Sequence, residues 1–173
     1  MTATDGTALV RDLLRRIADE VAAVLDGLDP SLLDARPAGG TNSIGWLLWH
    51  LTRSHDRNVS ELRGRPQLWL THGWHARFDR APDPTDTGYR HSTAEAAGFR
   101  SPRPETLAGY HRAAVAMIED YLDGGDDPYR RVHSPTLGDE ATVHARLVGV
   151  LADGLQHVGQ AALLKGLARR RLA

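Results

Sequence analysis

Four long segments of this chain place apolar residues three and four apart, and no segment shows the clean alternation of a strand. That pattern commits the chain to helices. From about Thr7 to Leu28, the residues Val10, Leu13, Leu14, Ile17, Val21, Val24, Leu25 and Leu28 make one apolar face. Arg11, Arg15, Arg16, Asp19 and Glu20 occupy the other. Gly27 and Asp29-Pro30 stop this helix, and Pro37 with Gly39-Gly40 supply turn chemistry in the connection. Thr41-Asn42-Ser43 offers side-chain oxygens to cap a second helix. Its stripe is Ile44, Leu47, Leu48, Leu51, Val59 and Leu62, and it ends near Gly64-Arg65-Pro66. A connection this short makes helices one and two antiparallel neighbours.

Residues 65 to 103 break the period with Pro66, Pro82, Pro84 and Pro102. Leu68, Trp69, Leu70 and Trp74 suit one short helix or an apolar plug. Such a long connection normally has a task. It also returns the chain to the far end, so that helices two and three can run parallel. Pro104-Glu105 starts the third helix, with Leu107, Tyr110, Ala114, Met117, Ile118 and Tyr121 as its stripe and Gly124-Gly125 as its stop. Asp126 to Glu140 reads as loop. The fourth helix runs from about Thr142 to Arg170 on Val143, Leu147, Val150, Leu151, Val158, Ala161, Leu164 and Leu167. The expected fold is all-α: one domain over residues 1–173, a four-helix bundle with a long crossover between helices two and three.

Composition narrows the function classes. At 173 residues the chain can bury a core without staples, and it has no cysteine, so disulfides, thiolate ligands and a protein-borne thiol nucleophile are all absent. Net charge is -1, with no basic stripe; nucleic acid is not an expected partner. The cluster Arg53, Arg57, Arg63 and Arg65 reads as a solvated helix end. Met1 to Gly6 has no signal pattern and no apolar run looks long enough to span a bilayer, which makes the cytoplasm the expected compartment and excludes a membrane partner. Lys165 is the only lysine among 21 cationic residues, a bias that suits a GC-rich genome.

Chemistry concentrates in two apolar helical stretches. Asp153 and His157 stand four apart, so they project from one face of the fourth helix. His50 lies within Ile44-Gly45-Trp46-Leu47-Leu48-Trp49-His50-Leu51 on the second. Bundles build metal sites from inward side chains on facing helices. One carboxylate, two imidazoles and open positions suit a catalytic divalent metal. A histidine in an apolar helix is more often a hydrogen-bonded core residue, and an Asp-x-x-x-His pair more often an ion pair. Against that, burying His50 is costly unless its nitrogens are satisfied. Gln160, three residues after His157, can also reach inward. His55, His91, His111, His133 and His144 have no motif partner and read as surface residues.

The stretch Thr41 to Thr52, with Gln156-His157-Val158-Gly159-Gln160-Ala161, Leu33 to Pro37 and Trp74-His75, resembles the DinB-like (YfiT-like) superfamily over nearly the whole chain. The resemblance implies an up-down-down-up bundle. It also implies one divalent metal, Zn, Ni, Mn or Fe, held by a histidine on helix two and a His-x-x-x-His pair on helix four. His50 and His157 match those positions, and Asp153 stands where the first histidine of the pair is expected. Asp153 then is a ligand, or an acceptor that orients His157 or His50, or marks an empty site. Trp46, Trp74, His75 and Gln160 are the substrate-lining residues this resemblance suggests. The implied activity is transfer of a low-molecular-weight thiol such as mycothiol to a small electrophile, in detoxification or stress response, with the metal holding the thiolate. The rival is a non-catalytic binding bundle with a degenerate metal site. A homodimer is also implied.

Overall fold

Leu14, Ile17, Val21 and Val24 are buried at the spacing that the sequence assigns them, and they form the inner face of α1 (Gly6–Leu25) in the computed structural model. The structure describes residues 6–36 and 40–172, the last two by backbone alone. Pro37 and Gly39, expected in the first connection, lie outside the described residues, as do Met1 to Asp5. The remaining elements are α2 (Ile44–Arg63), the short helices α3 (Leu68–Thr71), α4 (Trp74–Arg77) and α5 (Thr93–Gly98), α6 (Pro104–Gly124), the strands β1 (Arg131–Ser134) and β2 (Asp139–Thr142), and α7 (Val143–Leu172). The fold is all-α apart from that hairpin. The four long helices are α1, α2, α6 and α7.

Helix ends follow the expected chemistry. The Ser43 hydroxyl accepts from the Trp46 amide at the start of α2, and Gly64 closes it in the left-handed region at φ 60°. Contact pairs fix how the helices run. Thr52 meets His111 and Ser60 meets Met117, so α2 and α6 run in the same sense. His50 meets Asp153 while Asn58 meets Arg146, so α2 and α7 run in opposite senses. Arg11 binds Glu119 and Asp123, tying the start of α1 to the end of α6. α1 and α2 each pack chiefly on α6 and α7. The two helices expected to be neighbours therefore lie on a diagonal. Their connection, which includes a 3-10 turn at Pro30–Leu32, is long enough to cross the bundle end.

Three further expectations are corrected. The segment read as loop after α6 contains an antiparallel hairpin, Arg131 opposite Thr142 and Ser134 opposite Asp139. Four-residue strands of mixed polarity are too short to display alternation. In place of one short helix, the crossover forms three, and the apolar plug of Trp69 and Trp74 sits in the core together with Phe78 and Phe99. Last, α7 is long and apolar enough over Val143–Arg170 to cross a membrane by length and composition alone. Of its apolar residues, Val150, Leu151, Val158, Ala161 and Leu164 are buried in the bundle core, while Val148, Leu155, Leu163 and Leu167 are exposed.

The crossover changes the character of α2. Every residue from Ser43 to Ser60 is buried, polar ones included. Arg53 and Arg57 are therefore not at a solvated helix end. Arg53, with no exposure, donates to the Asp86 and Pro84 carbonyls, to Gln67 Oε1 at 2.8 Å and to the Tyr110 hydroxyl. Asp56, equally buried, accepts from the Leu68 and Trp69 amides, each at 2.8 Å, and from the Tyr110 hydroxyl at 2.7 Å. Its carboxylate thus caps α3. These contacts hold the crossover against the outer face of α2 and leave few lone pairs unmet.

Candidate metal centre

The approach of α7 to α2 begins with a missing side chain. A Cβ at Gly154 would lie 2.9 Å from both His55 Nε2 and Ile17 Cδ1. Without it, α7 settles against α1 and α2, and the neighbouring Asp153 reaches the level of His50. Asp153 Oδ1 lies 3.7 Å from His50 Nε2 and 3.3 Å from His157 Nε2. One donor atom from each of the three residues falls within 4.8 Å of the others. Two donors of a tetrahedral site with bonds of about 2.1 Å stand about 3.4 Å apart, close to both measured separations.

Each imidazole is held from behind. His50 Nδ1 faces the Thr87 carbonyl, which can only accept, so its proton sits on Nδ1 and Nε2 presents a lone pair inward. His157 Nδ1 lies 3.1 Å from Gln160 Oε1, giving the same tautomer. Trp46 stacks on the His50 ring at 4.8 Å and 15°, and meets the His157 ring edge-on. Gly88, at φ 83°, lets the crossover lie this close, since a Cβ there would come within 3.0 Å of His50, Trp46 and Trp49.

With both Nε2 lone pairs facing the Asp153 carboxylate, a cation between them is an arrangement that meets all three donors. Burial opposes ionisation of Asp153, yet hydrogen bonds and charge from His157 and His50 hold its carboxyl well below the usual range. Burial likewise lowers the His157 pKa, but Asp153 more than offsets this and raises it. Asp153 Oδ2 is buried without a hydrogen-bond partner. Two imidazoles, one carboxylate and an orphan carboxylate oxygen suit a divalent ion.

The other expected residues divide. Trp46 and Gln160 touch the histidines directly, Gln160 from behind His157 rather than across the open side. Trp74 instead stacks on Tyr110 at 5.2 Å, and His75 lies edge-on to Trp69, both away from the triad. Of the histidines read as surface residues, His133 and His144 are exposed. His55 and His111 are buried in the core. His91 is half-buried, accepting from Trp46 Nε1 at Nδ1 and facing Asp86 through Nε2. Each lies on a face that another element covers: His55 meets α7 at Gly154, His111 meets α2 at Thr52 and His55, and His91 packs on Trp46 and Trp49 of α2.

A cleft of about 520 Å³ opens beside the triad, lined by His50 and Asp153 together with Arg57, Asn58, Arg90 and Arg146. Sequence reading missed Arg57 and Arg146 as site residues, although a signal existed. Arg57 is seven residues from His50 and Arg146 seven from Asp153, which places each on the same helical face as a triad residue.

The profile of the DinB superfamily matches residues 13–161. The chain belongs to the DinB superfamily. A solved structure of a conserved protein from Enterococcus faecalis is similar at 28% identity, covering 94% of this chain and 96% of that one with a TM-score of 0.82. No functionally curated relative matches the chain.

Proposed function

We propose that this DinB-superfamily protein is a divalent-metal-dependent transferase of a low-molecular-weight thiol, of the mycothiol kind, acting on small electrophiles in detoxification or stress response. One observation carries the reading: two imidazoles with their Nδ1 protons held by acceptors converge, with Asp153, on one point at the edge of a cleft. His50, Asp153 and His157 would hold Zn, Ni, Mn or Fe. When bound, such an ion supplies Lewis acidity that lowers the pKa of a coordinated thiol. The chain's own part is orientation. Thr87 and Gln160 fix the imidazole tautomers, Trp46 fixes the His50 plane, and α2 and α7 wall the cleft. The lack of cysteine suits this chemistry, because the nucleophile arrives with the cosubstrate. On this reading the protein is cytoplasmic and pairs as a homodimer.

The competing reading is a non-catalytic binding bundle. The observation favouring it is Asp153 itself, whose Oδ1 already lies 3.7 Å from His50 Nε2 and 3.3 Å from His157 Nε2 with nothing between them needed to hold the three together. Metal analysis of protein purified without chelator separates the two. We expect about one equivalent of metal in the wild type and a loss of at least about tenfold in affinity for His50→Ala and His157→Ala, in line with loss of a ligand. Protein that is metal-free, refuses zinc, nickel and manganese, and is unaltered by either substitution would leave the binding module as the answer.

A further inference from the structure

The cleft beside the triad contains two buried guanidinium groups to which a metal-bound thiol alone gives no role. We propose that Arg57 and Arg146 form an oxyanion seat, which takes the carboxylate or phosphate of a ligand whose other end reaches His50, Asp153 and His157. This rests on reading the cleft as the binding site and adds the charge class of what enters it.

Arg57 is only 6% exposed, yet its Nε has no hydrogen-bond partner. It has no carboxylate within ion-pair distance among the described residues; Glu61 and Asp153 act on it only at longer range. The Glu61 oxygens are themselves unpartnered and line a separate depression with Arg65 and Gln67. Arg146, also 6% exposed, spends Nη2 on Asp139 at 2.6 Å and Nη1 on Asn58 at 3.4 Å, leaving a buried Nε without a partner. Burial and the charges of Arg146 and Arg53 all work against the Arg57 cation. A buried cation lacking a hydrogen-bonded counter-charge is costly, and a planar fork of donors is best met by a carboxylate or phosphate. Arg90 adds a third, exposed guanidinium at the rim, on a backbone held at φ 63°.

The spacing sets the arginines apart from the triad along the cleft. Seven residues of helix separate each arginine from its triad neighbour, about 10 Å along the axis. Because α2 and α7 run in opposite senses, both separations point the same way along the cleft. A ligand is therefore expected to carry its anionic group several bonds from its metal-binding atom.

The first arm of the test needs no metal. Chelator-treated protein is titrated calorimetrically with succinate, with inorganic phosphate and with neutral succinamide. At least one oxyanion should bind about tenfold more tightly than succinamide, and whichever binds better names the headgroup. Arg57→Gln and Arg146→Gln should each remove at least about tenfold of that affinity, whereas Arg90→Gln at the rim should change it less than about threefold. If the buried variants do not fold, the wild-type comparison with succinamide still decides. The second arm uses zinc-loaded protein with 6-mercaptohexanoate against 6-mercaptohexanol, and the acid should bind more tightly. Oxyanions that bind no better than succinamide, or unchanged binding in folded Arg57→Gln and Arg146→Gln, would overturn the seat, and an Arg57–Glu61 pair would then account for the charge. Protein that refuses metal but keeps oxyanion selectivity removes the metal reading and leaves the seat standing.

Discussion

Gly154 sets the distance between the two halves of the metal centre, and it does so by lacking a side chain. Most glycines inside helices cost stability relative to alanine by about 1 kcal/mol. Gly159, one turn further along α7, has nothing within 4 Å of the place a Cβ would occupy, so Gly159→Ala should raise stability by about 0.5–1 kcal/mol. At Gly154 the same methyl would press on the buried ring of His55 and on Ile17. Overpacking of this kind costs about 1–3 kcal/mol, which outweighs the propensity gain. Gly154→Ala should therefore lower stability, by up to about 2 kcal/mol. It should also weaken metal binding, since α7 must move outward and carry Asp153 and His157 from His50. Urea denaturation of both variants, with a zinc titration, checks this. A Gly154→Ala protein as stable as Gly159→Ala would mean that α7 is not held close at this point.

At the scale of elements, the crossover and α2 are one device. A helix buried along its whole outer face needs its polar side chains satisfied by whatever covers it, and Arg53 and Asp56 do this by binding backbone groups of the crossover. Asp56→Ala would orphan two amides and leave Arg53 buried without its carboxylate neighbour at 3.6 Å. A loss of about 3–5 kcal/mol is expected, with early proteolysis between Phe78 and Ser92 as the crossover detaches. Full stability in Asp56→Ala, or resistance of that segment to protease, would contradict the clasp. This device also shows what the sequence could convey. The apolar stripes of α1, α2, α6 and α7, with the Ser43 cap and Gly64 stop of α2, were legible because local spacing determines them, although Leu13 and Leu167, read onto those stripes, are exposed. His50, Asp153 and His157 were legible as a set through spacing and resemblance. Arg53, Asp56, His55 and His111 were not, because polarity ordinarily reports solvent and only the tertiary fold shows which face is covered. Thr87 was hidden for another reason: it acts through its backbone carbonyl, which no side-chain pattern records.

For the whole molecule, the buried histidines make stability depend on acid. Burial holds His55 at about 4, with Asp153 opposing the shift, and holds His111 at about 3, with His55 adding to it. Both begin near 6.5 in the unfolded chain. As pH falls through 6.5 the unfolded chain takes up protons that the folded core refuses, so stability rises with pH across this window and is lost toward pH 4. His55 alone corresponds to a loss on the order of 3 kcal/mol by about pH 4. His157 acts in the other direction: its raised pKa contributes stability that is complete below 6.5 and is lost as pH rises through the folded value. Asp153 and Asp126, both depressed, stabilise the fold above the unfolded carboxylate range and lose that effect only at lower pH. The histidine window is thus separable from the carboxylates. Urea unfolding of chelator-treated protein at about pH 7, 6, 5 and 4.5 should show a midpoint that falls steadily below about 6.5. Replacing His111 with Leu should flatten the slope, since one proton fewer is taken up on unfolding. A midpoint constant over the whole of that range would mean that neither ring is held neutral in the core. Because metal release would add its own acid dependence, the metal-loaded protein should lose stability more steeply over the same range than the chelated one, and the difference between the two slopes counts the protons displaced by the ion.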